Sequence, residues 1–544
     1  MVGPSETPPL QSPGVVLTDT EPRSPSADEA TPGRETRRSL SSVEAVVVAA
    51  AVLVGLVLRF VTTSHLWLDE ALTVDIARLP LTDIGSALRQ DGHPPLYYYL
   101  LHEWMLVFGQ SDIAVRALSG VFGVIALPLG WLAGRRAGGP RAAWAFVVLL
   151  SLSPFAIRYS TETRMYSLLM VLVLAGYLLV TNALERPSAL RLLGIALVAG
   201  ALLLTHYWAL WLVAATVVVL GWRAWRKRGE RRTTVRVLVA VFAGGVFLLP
   251  WLPSMLYQSA HTGTPWASVV RPTTMLTDTL QDVGGGEFAE ALLLGWGLLA
   301  LFVLGLVAVA IDDHRLELDL RTRPQVRREA ALVALTLAIA SLAGYATRTT
   351  FATRYAAVVF PLFLIVAAVG LTRLDMPIVR PIVVLTFITL GVVGGIYNVK
   401  TDRTQAGHIA AAVRSGLQPG DVVVMCPDQL GPSVHRLLPS SVEQVTYPSF
   451  GSPDRVDWRE YAQRSERADP KAFAAGVTDR AGASHAHSVW LVTSGSYKTF
   501  EGQCEALTNE LSIRLGAGTV AVQEDGDAFF EHAALIQFPG PAAQ

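Results

Sequence analysis

The chain has 544 residues, of which 51% are hydrophobic and only 16% are charged, and its mean hydropathy is +0.41. This composition excludes an ordinary soluble domain and favours a protein whose helices cross a membrane several times. The 44 lysine and arginine residues balance the 44 aspartate and glutamate residues, so the charge gives no reason to expect a nucleic acid partner.

Residues 1–42 form a polar tail that is rich in Pro, Ser, Thr and Glu. The tail has no early apolar core of the kind that marks a secretory signal, so we predict a disordered cytoplasmic segment. Val43 begins the apolar part of the chain, and we predict a single membrane domain over residues 43–397.

Apolar runs of about 17–21 residues recur along this domain, and each is long enough to cross a bilayer as a helix. We predict spans near residues 43–61, 113–133, 142–157, 165–183, 192–208, 209–222, 236–253, 291–311, 330–346, 355–371 and 378–397, which makes about eleven transmembrane helices. The segment from Pro94 to Gly109 is too short to span, so we expect a helix at the membrane surface.

Arginine is concentrated in three connections, "AGRRAGGPRAA", "WRAWRKRGERRTTVR" and "HRLELDLRTRPQVRREA". The predicted spans put all three connections on one side of the membrane. The positive-inside rule identifies it as the cytoplasmic side, and we expect a cell (plasma) membrane. The unusual polar clusters of the chain then lie together on the opposite, extracytoplasmic side.

Residues 398–544 differ from the rest of the chain. The stretches "DVVVMC" (421–426), "VWLVT" (489–493) and "TVAVQ" (519–523) predict strands, and residues 500–515 predict a helix. This alternation predicts a small extracytoplasmic α/β domain, either for acceptor docking or as structural cover. The chain has only two cysteines, Cys426 and Cys504, which are too few for a cysteine-based metal cluster. Whether the two form a disulfide stays open.

Two polar clusters precede the second predicted span. Asp69 and Glu70, in "LWLDEA", could supply a general base or hold a divalent cation, although acids also simply favour the first turn of a helix. His93 and Tyr97, in "GHPPLYYY", could contact a phosphate or exchange a proton, although tyrosines are ordinary components of a membrane interface.

The stretch "RYSTETRMY" gathers Arg158, Glu162, Arg164 and Tyr166 between two apolar runs. The planar fork of arginine suits phosphate oxygens, and a glutamate can bind sugar hydroxyls. The alternative is a surface ion-pair turn between two helices.

Arg354 and Tyr355 begin a later span, and His206 lies near the end of an earlier one. Taken alone, the arginine is explained by snorkelling and the histidine by packing. Together, the clusters suit a substrate with an anionic headgroup and a lipid tail. The predicted donor-binding residues are His93, Tyr97, Arg158, Glu162, Arg164, Tyr166, His206, Arg354 and Tyr355.

The ordered motifs "WLDEA", "GHPPLYYY", "SPFAIRYSTETRMYSLL", "THY" and "RYAAVVFPL" resemble those of C-type (GT-C) glycosyltransferases. The resemblance is to the superfamily of protein O-mannosyltransferases and aminoarabinose transferases, and it includes the spacing around Arg116. It spans residues 43–397, and the region after them is similar to additions common among actinobacterial members.

This resemblance implies a GT-C fold and the transfer of a sugar, with inversion, from a polyprenyl-phosphate donor to a lipid, glycan or protein acceptor. Mannose is the expected sugar, with arabinofuranose and aminoarabinose as alternatives. Asp69 matches the base and Glu70 its neighbour, whereas Arg354 matches a phosphate ligand. Glu162 and Arg164 match a loop that lines the site, and no cofactor is implied with certainty.

Two departures and two alternatives accompany this interpretation. His93 stands where aminoarabinose transferases have a lysine, so phosphate binding is expected to depend on pH. The chain lacks the β-trefoil domain of eukaryotic protein mannosyltransferases, which favours a lipid or glycan acceptor over a protein.

The alternatives are a transporter or flippase for a lipid-linked sugar, and a non-catalytic cell-envelope assembly protein. Transporters usually place ionisable residues near mid-membrane, whereas here they collect at span ends.

Overall fold

The computed structural model describes Gly3 and residues 41–541, apart from 264–270, 287, 313, 323–324, 348–350 and 496. The chain divides into two compact units, Met1–Val46 and Val47–Gln544. In the first unit, the described residues are Gly3 and 41–46, where the first helix begins. The predicted N-terminal tail therefore lies almost wholly outside the described residues.

Helices make up most of the described chain as far as Lys400. In chain order they are α1 (Ser42–Leu58), α2 (Leu68–Ala77), α3 (Leu81–Asp91), α4 (Leu96–Phe108), α5 (Asp112–Ser151), α6 (Pro154–Ser160), α7 (Tyr166–Glu185), α8 (Ala189–Thr205), α9 (Ala209–Arg226), α10 (Arg231–Gly244), α11 (Leu252–His261), α12 (Pro272–Gly284), α13 (Ala291–Val307), α14 (Arg327–Thr347), α15 (Phe360–Arg373) and α16 (Val379–Lys400). Short 3-10 helices cover Arg228–Glu230, Gly245–Leu248 and Thr353–Val358. Two strands, β1 (Ala308–Asp312) and β2 (Arg315–Leu318), form an antiparallel ribbon between α13 and α14.

Five helices among the described residues are long and apolar enough to cross a membrane, namely α5, α7, α9, α14 and α16. Residues Arg228–Leu248 and α11 form a bent pair, with an angle of 70°, that adds a sixth span if the pair crosses as one. Helices α1, α8, α13 and α15 are apolar but shorter. The helical membrane class is confirmed. Each predicted span overlaps a helical segment, but the number of spans stays a prediction.

Helix α5 covers the predicted span 113–133, the arginine-rich connection after it and the first ten residues, 142–151, of the next predicted span. Ser111 caps its first turn, because the Ser111 hydroxyl accepts a hydrogen bond from the backbone N–H of Ala114. The helix is interrupted at Gly138 and Gly139, and the φ of 77° at Gly139 is one that glycine adopts without strain. The two predicted spans are therefore two arms of one interrupted helix.

Glycines let α13 and α15 pack backbone against backbone. A Cβ atom added to Gly370 would lie 1.8 Å from the carbonyl oxygen of Leu301, and one added to Gly305 would lie 2.3 Å from that of Val366. Small residues allow such close contact between apolar helices. The contact fixes α15, which follows the 3-10 helix that carries the predicted site residues Arg354 and Tyr355.

Beyond Lys400 the chain forms a mixed sheet with helices on both faces. The helices are α17 (Ala406–Gly416), α18 (Gly431–His435), α19 (Tyr461–Glu466), α20 (Pro470–Ala483) and α21 (Gln503–Leu515). The strands are β3 (Val422–Cys426), β4 (Glu443–Thr446), β5 (Ser488–Thr493), β6 (Thr519–Val522) and β7 (Ala534–Pro539), and 3-10 helices cover Asp428–Leu430 and Lys498–Phe500. The strand order is β4-β3-β5-β7-β6, with β3 parallel to β4 and β5, and β7 antiparallel to β5 and β6.

The central strands of this sheet are buried on both faces. Val422 and Val424 pack with residues of α20 and α21, whereas Val423 and Met425 pack with residues of α17 and α18. Burial on both faces gives a continuous apolar run, which is why β3 and β5 could be predicted. The predicted strand at β6 and the predicted helix near 500–515 are also present, although β6 is a mostly exposed edge strand. The predicted boundary between 397 and 398 stays a prediction, because both parts belong to one compact unit.

The two cysteines, whose pairing the sequence left open, form a disulfide. It joins Cys426 at the end of β3 to Cys504 in the first turn of α21, and both residues are fully buried. The disulfide therefore links the centre of the sheet to one of its covering helices.

Candidate active site

Helix α2 carries the two acidic residues of "LWLDEA" in its first turn. The backbone N–H of Leu68 donates to the carboxyl group of Glu531 at 2.9 Å, so a residue from the C-terminal sheet region caps this helix. The side chain of Asp69 is 19% exposed, whereas that of Glu70 is fully buried. Successive residues of a helix point about 100° apart, so the two acids have different surroundings.

Glu70 is the centre of a buried ion-pair cluster. Nε and Nη2 of Arg116 donate to its two carboxylate oxygens at 2.8 and 2.6 Å, and the backbone N–H of Thr163 donates to Oε1 at 2.8 Å. Nη1 of Arg403 lies 3.6 Å from Oε2. Burial by itself raises the pKa of Glu70, but the charge and hydrogen bonds of Arg116 outweigh it, and the pKa stays below its ordinary value. Glu70 therefore ties α2 to three distant segments.

Asp69 lies between two guanidinium groups. Its Oδ2 is 3.8 Å from Nη2 of Arg164 and 3.7 Å from Nη2 of Arg354. Asp69 is therefore within ion-pair distance of both arginines. Nε of Arg354 is buried and has no hydrogen-bond partner among the described residues, so this guanidinium has donor capacity left for an anion.

Arg164 connects Asp69 to His93. Nη1 of Arg164 donates to the hydroxyl of Thr73 at 2.8 Å, and Nη2 lies 2.8 Å from Nε2 of His93. A guanidinium only donates, so Nε2 of His93 must accept, and the ring proton is then on Nδ1, 2.7 Å from Oδ2 of Asp91. This geometry requires a neutral His93 with both ring nitrogens engaged.

A central cavity of about 380 Å³ is lined by Asp69 and borders an apolar cavity of about 320 Å³. The two share His93 and Tyr355 in their walls, and the apolar cavity is also lined by Trp208 and Phe351. The ring of Trp208 meets that of Phe351 edge to face and is tilted against that of Tyr355, with ring centroids 5.1 Å apart in each case. The apolar cavity therefore has an aromatic wall that reaches the edge of the central cavity.

A polar cavity of about 620 Å³ borders the central cavity on another side and shares Arg354 with it. Arg158 and Glu162 line the polar cavity, with Nε of Arg158 3.9 Å from Oε2 of Glu162. Neither of these two atoms has a hydrogen-bond partner within the described part of the chain. Burial raises the pKa of Glu162, with the charges of Arg403 and Arg158 acting against it.

The structure brings most of the predicted site residues to these cavities. The central cavity is lined by Asp69, His93, Arg164, Tyr166, Arg354 and Tyr355, the apolar cavity also by His206, and the polar cavity by Arg158 and Glu162. Of the predicted residues, Glu70 and Tyr97 are outside the described walls of all three. Tyr97 is fully buried, with its hydroxyl 2.8 Å from that of Ser119.

Several residues at the site were not predicted from the sequence. Arg403 follows α16 and donates to the carbonyl oxygen and hydroxyl of Thr161 at 2.9 and 2.8 Å. Asp282 accepts a hydrogen bond from Tyr159 at 3.2 Å beside the polar cavity, and His532 lines both the central and the polar cavity. Nothing in their local sequence signals a site, because distant parts of the chain bring them there.

The surroundings of the two acids do not fit the divalent cation considered from the sequence. Among the residues that the structure describes, no group of three or more His, Cys, Asp and Glu side chains is arranged to hold a metal ion. The ion-pair partners of Asp69 and Glu70 in the described chain are guanidinium groups, which would repel a cation at the same place.

Comparison with known proteins supports the same class as the motifs. Residues 92–254 match the family model described as dolichyl-phosphate-mannose-protein mannosyltransferase. No curated protein sequence matches the chain. The structure is similar to ArnT from Cupriavidus metallidurans bound to undecaprenyl phosphate, with a TM-score of 0.56 and 15% identity over 91% of this chain and 98% of that one.

Two further structures are similar to the chain. The apo state of the same ArnT aligns with a TM-score of 0.55 and 15% identity, over 91% of this chain and 97% of that one. The oligosaccharyltransferase of Archaeoglobus fulgidus, in complex with Zn and sulfate, aligns with a TM-score of 0.49 and 12% identity over 87% and 71% of the two chains.

The chain is thus an integral membrane protein with the GT-C glycosyltransferase fold of the protein mannosyltransferase and ArnT superfamily. The family resemblance, the fold class and the assignment as a glycosyltransferase are confirmed. The roles of the individual site residues stay predictions.

Replacing Glu70 by glutamine is expected to lower the free energy of unfolding by about 3–5 kcal/mol, because Arg116 would remain buried without its counter-charge. Thermal and chemical unfolding of the detergent-solubilised protein measures the change. Glu103→Gln, at an exposed position on α4, is the matched control and should unfold like the wild type. A Glu70→Gln protein as stable as the control would contradict the anchoring role.

Glu531 predicts a pH dependence of stability. Burial raises its pKa from 4.5 to about 8, so between these values the folded protein holds a proton that the unfolded chain has lost. Stability should therefore fall as pH rises through this window. Between about pH 5 and pH 8 the loss should be roughly 1–3 kcal/mol larger for the wild type than for Glu531→Gln. An equal change in the free energy of unfolding of the two proteins between these pH values would refute this.

Proposed function

We propose that the chain transfers a sugar, with inversion, from a polyprenyl monophosphate donor to an extracytoplasmic acceptor. The observation that carries the proposal is the position of Asp69 between Arg164 and Arg354, in a central cavity that borders an apolar cavity on one side and a polar cavity on another. A carboxylate can accept the proton of an attacking hydroxyl, and a guanidinium can stabilise a departing phosphate.

The apolar cavity suits the prenyl chain of the donor. Its aromatic wall of Trp208, Phe351 and Tyr355 offers contacts to a hydrocarbon chain, and it leads to the central cavity beside His93. A chain bound there would bring its phosphate towards Arg354. ArnT from Cupriavidus metallidurans has been crystallised with undecaprenyl phosphate, which supports this class of donor.

The two arginines beside Asp69 have different proposed tasks. Arg354 is the phosphate ligand, because it borders both the central and the polar cavity and pairs with Asp69 only at 3.7 Å. Arg164 is a positioning residue, since its terminal nitrogens already contact Thr73 and His93. The Nε atoms of both arginines are buried without a hydrogen-bond partner in the described chain, so they do not distinguish the two.

In the proposed step, Asp69 accepts the proton of the acceptor hydroxyl as its oxygen bonds to the anomeric carbon. The bond from that carbon to the phosphate oxygen breaks at the same time, and the lipid phosphate leaves with the electron pair. Arg354 stabilises the charge that develops on the phosphate. Glu70 takes no part in bond making and holds α2 in place.

The proposed sugar is mannose, supported by the match of residues 92–254 to a mannosyltransferase family model. The proposed location is the plasma membrane, with the N-terminus and the arginine-rich connections in the cytoplasm. The proposed domain division is 43–397 for the transferase and 398–544 for an extracytoplasmic domain. The disulfide Cys426–Cys504 supports that side for the second domain, because disulfides persist in oxidising compartments.

The test of function is transfer from radiolabelled polyprenyl-phosphate mannose in membranes that contain the wild type or Asp69→Asn. The variant should be slower by roughly 10²–10⁴-fold, because the base is lost. Asp83→Asn, at an exposed position on α3, is the matched control and should keep full activity. Equal rates for Asp69→Asn and the control would remove Asp69 from the mechanism. Translocation of labelled donor without any release of lipid phosphate would favour the transporter alternative.

Arg354→Gln is expected to lower kcat by roughly 10²-fold, because the leaving phosphate loses a charged donor in the transition state. Arg354→Lys should recover part of the rate, since lysine restores the positive charge but not the planar pair of donors that a guanidinium offers to a phosphate. Single-turnover transfer from the same labelled donor measures both variants. If Arg354→Gln raised the donor KM and left kcat unchanged, Arg354 would contribute to donor binding only.

A further inference from the structure

The polar cavity lies where an acceptor must approach. It shares Trp67, Arg354, Phe530 and His532 with the central cavity, whereas the proposed prenyl cavity meets the central cavity through other residues, among them His93. Displacement with inversion needs the attacking oxygen on the face of the anomeric carbon opposite the leaving phosphate. The apolar cavity proposed for the prenyl chain is lined by none of Trp67, Phe530 and His532, so these residues remain available to an acceptor.

The charges of the polar cavity indicate what kind of acceptor it can take. Its walls include three arginines and five carboxylates, namely Arg158, Arg354, Arg403, Glu162, Asp278, Asp282, Asp402 and Asp527. An excess of carboxylates disfavours phosphorylated or otherwise anionic acceptors. Carboxylates and guanidinium groups together are suited to binding hydroxyl groups, because one accepts and the other donates hydrogen bonds. Glu162 is almost fully buried, and its Oε2 retains such acceptor capacity within the described chain.

Aromatic residues add a second feature that suits a sugar ring. The rings of Trp67 and Phe530 meet edge to face, with centroids 5.3 Å apart, at the border between the central and polar cavities. Phe530 is nevertheless 64% exposed, which is unusual for a large apolar side chain that borders a cavity. An exposed aromatic face next to carboxylates offers both the apolar and the polar contacts that a sugar ring makes.

His532 provides a polar group on the same segment. Its Nδ1 lies 2.6 Å from Oε1 of Glu524, and that oxygen also accepts a hydrogen bond from the hydroxyl of Ser494 at 2.8 Å. The carboxylate therefore fixes the imidazole, which lines both the central and the polar cavity. Nε2 remains the ring nitrogen that can contact a ligand.

We propose that the polar cavity is the acceptor subsite and that the acceptor is a neutral glycan, which Phe530 and His532 of the C-terminal region hold beside Asp69. The proposal rests on the proposed function and names its acceptor class. Phe530 is a contact for the sugar ring. His532 orients a sugar hydroxyl towards the base, and Glu524 acts through His532 as a positioning residue.

The first test compares three acceptors with labelled polyprenyl-phosphate mannose in membranes. They are a neutral mannose oligosaccharide with an alkyl aglycone, a bis-phosphorylated glucosamine disaccharide lipid, and a serine- and threonine-rich peptide. The oligosaccharide should be glycosylated at least about 10-fold faster than the other two, because a contact worth about 1.4 kcal/mol gives this ratio. Faster transfer to the phosphorylated lipid or to the peptide would overturn the acceptor class and leave sugar transfer itself intact.

The second test uses variants of the segment. Phe530→Ala and His532→Gln should each raise the KM for the oligosaccharide by about 10-fold, with the KM for the donor unchanged. His487→Gln and Ile513→Ala, at exposed positions of the same region, are matched controls and should behave like the wild type. A normal oligosaccharide KM in both cavity variants would overturn the subsite. Absence of lipid phosphate release by the wild type with every acceptor would instead overturn the proposed function.

Discussion

The burial of the Glu70 carboxylate is the constraint on which the site depends. A charge at this depth is tolerated only when oppositely charged and hydrogen-bonding groups surround it. Its partners come from separate parts of the chain, Arg116 in α5, Thr163 after α6 and Arg403 after α16. These segments must therefore meet around the beginning of α2. Asp69, one residue earlier, is then left at the wall of the central cavity.

The two adjacent carboxylates thus differ in exposure and in bonding because their surroundings differ. Glu70 is enclosed by donors that satisfy both of its oxygens, whereas Asp69 has two guanidinium groups at longer distances and remains partly exposed. The arginines differ in a similar way, because the terminal nitrogens of Arg164 are held by Thr73 and His93, whereas Arg354 pairs with Asp69 at 3.7 Å and borders two cavities. In the proposed mechanism, Arg354 contacts the substrate and Arg164 is a positioning residue.

Much of the fold was predictable because its signals are local. Long apolar runs predict helices, and a strand such as Val422–Cys426 is an apolar run because both of its faces are buried. The short interruption at Gly138 and Gly139, where the two arms of α5 meet, depends on backbone conformation that composition does not reveal. Most predicted site residues do line the cavities. From the sequence, only the family resemblance distinguished Asp69 from Glu70, and nothing pointed to Arg403, because burial and long-range pairing depend on distant parts of the chain.

The C-terminal region is bound to the site at several separate points. Glu531 accepts a hydrogen bond from the backbone N–H of Leu68 at the start of α2 at 2.9 Å. The backbone N–H of Trp458 donates to the carbonyl oxygen of Gln90 in α3 at 3.1 Å, and Nη2 of Arg436 donates to Oδ1 of Asp112 at the start of α5 at 3.2 Å. The segment with Phe530 and His532 is therefore fixed with respect to Asp69. Loops on a rigid framework can change in sequence without disturbing that framework. If the acceptor binds against this segment, acceptor choice can change there while the donor-side residues, which belong to the helical part of the chain, stay the same.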